Sequence, residues 1–184
     1  KKLNYSTRMA REVGVRRRNA VFGILLTPND EVLVVANRRS SGGVRWSFPG
    51  GLVDREETPL EALKREVEEE TSLITHEWPH HVYTTLVQFR EGRRDLDLNV
   101  EIYLSKNWEG ELDFSSDPDG LVVDGIFANV SSIGDFFYDS DDYISEPIME
   151  WMFHRWEDPV HFTYLVEGKR PERTIRRTRY EKLT

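Results

Sequence analysis

Apolar and polar positions alternate along this chain in segments that predict a mixed α/β fold. Residues 19–27 and 31–36 are apolar runs separated by Pro28-Asn29-Asp30, the pattern of a β-hairpin. Residues 44–48 predict a short strand ending in the tight turn Phe48-Pro49-Gly50-Gly51. Residues 81–90 and 96–105 alternate in character around Glu91-Gly92-Arg93-Arg94, which predicts a second hairpin, and residues 123–130 predict a further strand. Residues 145–156 read as a helix, with Ile148, Trp151, Met152 and Arg155 on neighbouring turns, and residues 160–166 as a late strand. Strands arranged around two helices suit an α/β/α sandwich with a mixed β-sheet.

The best-marked helix spans residues 59–71. Thr58 suits its N-cap, Pro59 its first position, and Glu61 completes a Thr-x-x-Glu capping box. At about 100° per residue, Leu60, Leu63 and Val67 form one apolar stripe, while Glu61, Lys64, Arg65 and Glu68 lie opposite it. Glu66, Glu69 and Glu70 crowd an arc that borders the stripe. Acids at a helix's carboxyl end oppose the backbone dipole at about 0.3–1 kcal/mol each, and like charges three or four residues apart repel further. A bound divalent cation would offset both penalties, and a hard ion such as Mg²⁺ or Mn²⁺ takes oxygen ligands.

The run from Gly51 to Leu73 resembles the Nudix box, G-x5-E-x7-R-E-U-x-E-E-x-G-U, where U is aliphatic. Gly51, Glu57, Arg65, Glu66, Val67, Glu69, Glu70 and Leu73 stand at the required spacing, and Ser72 stands where the pattern has glycine. The resemblance implies a Nudix-type fold and hydrolysis of a nucleoside diphosphate linked to another group, assisted by Mg²⁺ or Mn²⁺. It implies Glu69 and Glu70 as metal ligands, with the Gly50 carbonyl as a third and Glu66 as ligand or general base. Arg65 and Glu57 match a supporting ion pair that orients the acids. A serine in place of the glycine predicts a slightly different helix exit, with the ligands unaffected.

Relatives recruit one more acid after the box. Asp124, opening the strand at 123–130, holds the expected position, whereas Asp117 and Asp119 in Asp-Pro-Asp-Gly read better as a turn. Among Arg16, Arg17, Arg18, Arg38, Arg39 and Arg45, the pair flanking the strand into the Gly50-Gly51 turn, Arg38 and Arg45, are the candidates to clamp a diphosphate. Phe22, Trp46, Tyr83 and Phe127 are candidates to stack on a nucleobase, with core packing as the alternative for each. His76, His80 and His81 lack zinc-site spacing. No downstream signature of the relatives acting on ADP-ribose, dinucleoside polyphosphates or NADH is present. A nucleoside triphosphate or modified nucleotide therefore remains as the favoured substrate.

Composition narrows the remaining choices. The 184 residues suit a single domain over 1–184, and the absence of cysteine fits a reducing cytoplasm. No apolar run reaches the roughly 18 residues of a membrane span. Net charge is −8, yet residues 1–18 carry seven basic residues against one acid, and residues 167–184 carry seven against three. These basic terminal extensions are candidates for solvated tails, edge strands, subunit contacts in a homodimer, or a grip on nucleic acid. The last is disfavoured by the acidic body. Two rival readings follow: an RNA 5′-end pyrophosphohydrolase, and a non-catalytic nucleotide-sensing module.

Overall fold

The computed structural model describes residues 14–92 and 94–183. In chain order the elements are β1 (Arg16–Leu25), β2 (Glu31–Arg38), β3 (Val44–Ser47), β4 (Gly50–Leu52), α1 (Pro59–Thr71), β5 (His80–Arg90), β6 (Leu96–Ser105) and β7 (Val122–Asn129). A 3-10 turn (Val130–Ser132) then leads to α2 (Gly134–Phe137), α3 (Asp142–His154), β8 (Val160–Glu167) and β9 (Thr174–Lys182). Six strands form one sheet in the order β4-β1-β6-β5-β8-β9, and three form another, β3-β2-β7. The β1–β6 and β5–β8 pairs are parallel and the other neighbours antiparallel, so the larger sheet is mixed.

The first predicted hairpin is corrected. Its turn forms, with Asp30 in the left-handed region (φ 59°), but β1 and β2 enter different sheets after a single bridge between Leu26 and Val32. Each strand already has both edges filled, β1 by β4 and β6, β2 by β3 and β7, and neither can pair further with the other. The second hairpin, β5–β6, is as the alternation predicts.

The second long helix starts three residues earlier than its apolar pattern suggests, carrying Pro147 inside it. Asp141 precedes it, and its carboxylate is held by Tyr143, Arg170 and Arg173, which ties the helix to the loop before β9. The basic C-terminal stretch is an edge strand: β9 pairs with β8, and Arg177 reaches across to Glu146 and Glu150 of α3. Residues 1–13 of the basic N-terminal stretch lie outside the described residues, and Arg16, Arg17 and Arg18 open β1.

The alternation of β1 builds two cores. Val21 and Leu25 join Leu33 and Val35 of β2 under α1, where Ala62, Leu63 and Val67 are fully buried. Ile24 joins Val32 and Val34 on the other side, with Ile148 and Trp151 of α3. Helices thus cover both sides, as the sandwich expectation requires. The α1 stripe needs one correction, because Leu60 is 37% exposed and Ala62 takes its place in the buried face. Opposite it, β1 carries a glycine because α1 and Trp78 approach closely. At Gly23 of β1, an added Cβ would stand 2.3 Å from Trp78 and 3.2 Å from Leu63. Burying Leu63 at such a contact is worth about 2–5 kcal/mol against alanine.

Candidate active site

The start of α1 is fixed as its sequence predicts. Glu61 N–H donates to Thr58 Oγ1 (3.3 Å) and Thr58 N–H to Glu61 Oε2 (2.7 Å), a closed capping box. Its exit differs from expectation. Ser72 keeps the left-handed conformation that glycine would adopt (φ 63°), and its N–H donates to the Glu68 carbonyl. The Ser72 hydroxyl donates to the Asp113 carbonyl (3.0 Å) and meets Ser116 Oγ (2.9 Å). These bonds offset a strain of about 1 kcal/mol, so the helix ends in the same way without the glycine.

Arg65 sits at the hub of the acids. Its Nη2 donates to Glu57 Oε1 (2.6 Å) and its Nε to Glu57 Oε2 (3.2 Å), a two-pronged bond of the kind that only a guanidinium makes. Its Nη1 donates to Glu66 Oε1 (2.9 Å) and Glu69 Oε2 (3.3 Å). One cation therefore spans three of the box glutamates. Its hydrogen bonds hold the Glu57 carboxyl below the usual range, and the same bonds raise the Arg65 pKa further.

Glu66 and Glu70 behave differently. Burial pushes the Glu66 pKa up against the pull of Arg65. Burial raises Glu70 to about 8, with Glu66, Asp117 and Glu69 adding like charge, and only the Gly50 N–H (3.0 Å) opposing. Gly50 itself lies at φ +149°, and an added Cβ there would stand 2.2 Å from the Val21 carbonyl oxygen. At Gly51 an added Cβ would stand 2.6 Å from Glu66 Oε1. Gly51 thus leaves the space in which the Glu66 carboxylate approaches the backbone, while Gly50 leaves room for β1 and offers its N–H to Glu70.

These residues fit a hard divalent cation. A buried carboxylate with a raised pKa, crowded by three other acids, is an electrostatic strain that a cation relieves. The donor set is all oxygen, as Mg²⁺ and Mn²⁺ require. Among the described residues no three acids already converge as a cage, and Arg65 and the Gly50 N–H occupy part of their lone pairs.

The remaining candidates scatter. Asp124 is exposed on β7, opposite Ala36 of β2, and its carboxylate accepts the Gly125 N–H (2.8 Å). Asp117 binds the N–H groups of Asp119, Leu121 and Val122, the turn role expected of it, yet its charge is also felt at Glu70. That second role was hidden in the sequence, since the turn pattern alone accounts for the residue. Arg38 is exposed at the end of β2, and Arg39 pairs with Asp139. His76, His80 and His81 face Glu109, the Trp156 carbonyl and Thr84, three separate partners.

Across β1 from α1 lies a cavity of about 330 Å³. Phe22, Trp46 and Tyr83 line it, and so do Phe48, Phe137 and Tyr143, which the sequence did not single out. Arg45, exposed on β3, and Gly51 line it as well, so the cavity adjoins the glycine against which Glu66 rests. Phe127 is elsewhere, stacked on Trp108 (5.6 Å between centroids). A second cleft, about 490 Å³, is lined by Arg17, Arg18, Arg55 and Glu57, a basic wall beside the Arg65 hub.

Comparison with known proteins places the fold in a family. The family model described as NUDIX domain matches residues 16–152, and the chain belongs to the Nudix family. That match ends within α3, before β8 and β9. The MutT protein from Bacillus halodurans has a similar fold, with a TM-score of 0.65 at 17% identity over 90% of this chain and 97% of that one. The E. coli ORF135 protein superposes with a TM-score of 0.60 at 18% identity, over 78% and 96%. An RNA pyrophosphohydrolase of Stenotrophomonas maltophilia (strain K279a) is 42% identical over 60 residues, 33% of this chain. The chain spans only 26% of the length of that curated relative. Among the described residues no helix is long and apolar enough to cross a membrane.

Proposed function

We propose that this protein hydrolyses the pyrophosphate linkage of a nucleoside diphosphate derivative, with a nucleoside triphosphate or modified nucleotide as the favoured substrate. The observation that carries this reading is the Arg65 hub, which gathers Glu57, Glu66 and Glu69 beside the buried Glu70 and next to an aromatic cavity. Glu66, Glu69, Glu70 and the Gly50 carbonyl would hold Mg²⁺ or Mn²⁺. When bound, the metal supplies charge screening for the phosphate oxygens and a lowered pKa for a coordinated water.

The chain's own groups do the rest. Arg65, anchored by Glu57, orients the carboxylates of Glu66 and Glu69. Where Glu66 stands beside the metal rather than on it, it is the favoured acceptor of the water's proton, because burial raises its pKa and makes it a stronger base than an ordinary carboxylate. Asp124 would serve that role only if substrate binding brings the exposed end of β7 toward the box. Arg45, which lines the cavity, would bind the diphosphate while the aromatic side chains take the base. Arg38 would assist from the neighbouring strand.

A second reading, an RNA 5′-end pyrophosphohydrolase, is favoured by the Stenotrophomonas relative and by the arginine-lined cleft beside Glu57. It uses the same chemistry on a polymer and predicts binding that weakens steeply with salt. The test is product release from a panel of nucleoside triphosphates, modified nucleotides and a 5′-triphosphorylated RNA, with Mg²⁺ or with chelator. Turnover of one member that chelator abolishes, and that Glu70→Gln lowers at least about 100-fold, is the expected result; loss of an outer supporting group alone costs 10–100-fold. No turnover with nucleotide binding intact would favour a sensing module.

A further inference from the structure

The wall of the aromatic cavity holds a buried hydroxyl with no partner. Thr85, on β5, is 2% exposed, lines the cavity, and its buried Oγ1 has no hydrogen-bond partner. Of the other hydroxyls there, Ser47 Oγ accepts from Asn37 Nδ2 (2.8 Å), and the Tyr143 hydroxyl donates to Asp141 (2.9 Å). Thr85 is flanked across the sheet by Val100 of β6 and Phe162 of β8, which offer it no side-chain partner. A buried hydroxyl without a partner is unfavourable, and folded proteins rarely keep one. Its neighbour Thr84, on the opposite face of the strand, finds His81 Nε2 at 2.8 Å.

We infer that Thr85 is a specificity-determining residue whose hydroxyl pairs with a single carbonyl or ring nitrogen on the buried edge of the ligand's planar group. The inference rests on the proposed nucleotide site. It adds the residue that reads the ligand and the kind of edge it reads. The cavity walls are otherwise nearly all apolar, so a group burying several hydrogen-bonding atoms would leave most of them unpaired, and such mismatches are strongly rejected. The group that fits therefore presents a polar position to Thr85, with its flat faces against side chains such as Phe22 and Trp46. Its remaining polar atoms face the mouth at Arg45.

The test uses Thr85→Val, which keeps the shape and removes the hydroxyl, beside Thr85→Ser, which keeps the hydroxyl. With the best substrate of the panel, the valine variant is expected to raise KM about tenfold with kcat within twofold, and the serine variant to restore KM to within about threefold of wild type. Melting of the ligand-free valine variant is expected at or above the wild-type temperature, since an unpaired hydroxyl has been removed. An unchanged KM in the valine variant would overturn the inference while leaving the hydrolase reading intact. Should wild type bind nucleotide without hydrolysing it, calorimetric Kd values replace KM. The same tenfold loss then supports Thr85 although the hydrolase reading has failed, and an unchanged Kd overturns it.

Discussion

The two faces of β1 differ as sharply as any two regions of this molecule. Toward α1, the strand and the glycine turn after β3 support glutamates organised by one arginine, a surface of concentrated charge. Toward α3, the same strand lines an aromatic cavity in whose wall the Thr85 hydroxyl is unpartnered. Gly51 belongs to both, touching Glu66 on one side and the cavity on the other. The contrast teaches that reaction and recognition can be separated by one strand's alternation. Changes on the charged face are expected to act on kcat, and changes on the cavity face on KM.

Gly50→Ala should break both regions together. Its Cβ would collide with the Val21 carbonyl at a backbone conformation that side chains rarely adopt, at a cost of about 3–4 kcal/mol. A fall in Tm of about 10 °C follows, measurable by calorimetry. Arg65→Lys keeps the charge but loses the two-pronged bond to Glu57. Steady-state kinetics should show kcat lowered about 10–100-fold with KM nearly unchanged. Trp46→Ala sharpens the comparison from the other side, raising KM about 5–10-fold at constant kcat through loss of an aromatic surface worth about 1 kcal/mol.

The pH dependence of stability isolates Glu70. Its folded pKa, about 8, lies above its ordinary value near 4.5, so the folded protein binds the extra proton. Its contribution is fully present below about pH 4.5 and is lost as pH rises through about 8. Metal-free wild type should therefore lose several degrees of Tm between pH 6 and pH 9, and Glu70→Gln should lose less. The smallest effect is expected at Ser72→Gly, where relief of left-handed strain and loss of two hydroxyl contacts nearly cancel, leaving stability within about 1 kcal/mol and kcat unchanged.

Much of the charged face was legible in the sequence because it is local. Thr58, Glu61, Arg65 and the glutamates lie within one helix and its cap, where spacing fixes geometry. The Arg65–Glu57 pair, eight residues apart, followed from the motif and is present. The cavity was legible only in part. Phe22, Trp46 and Tyr83 could be suspected singly, but their convergence with Phe137 and Thr85 depends on strand order, which no local pattern carries. The same cause misled the first hairpin: alternation marks a strand, but the filled edges of β1 and β2 decide its partners. Asp117 was hidden by a turn motif that explains it fully on its own terms, although its charge reaches Glu70.

The central claim is that the glutamates around Arg65 form a metal centre for hydrolysis. Titration of Mn²⁺ into metal-free protein at pH 8.5, read by calorimetry for wild type and Glu70→Gln, tests it most directly. The account predicts binding by wild type at pH 8.5, weakened at pH 6 where Glu70 must first release its proton, and reduced at least tenfold in the variant. Equal Mn²⁺ affinity in both proteins at both pH values would contradict it.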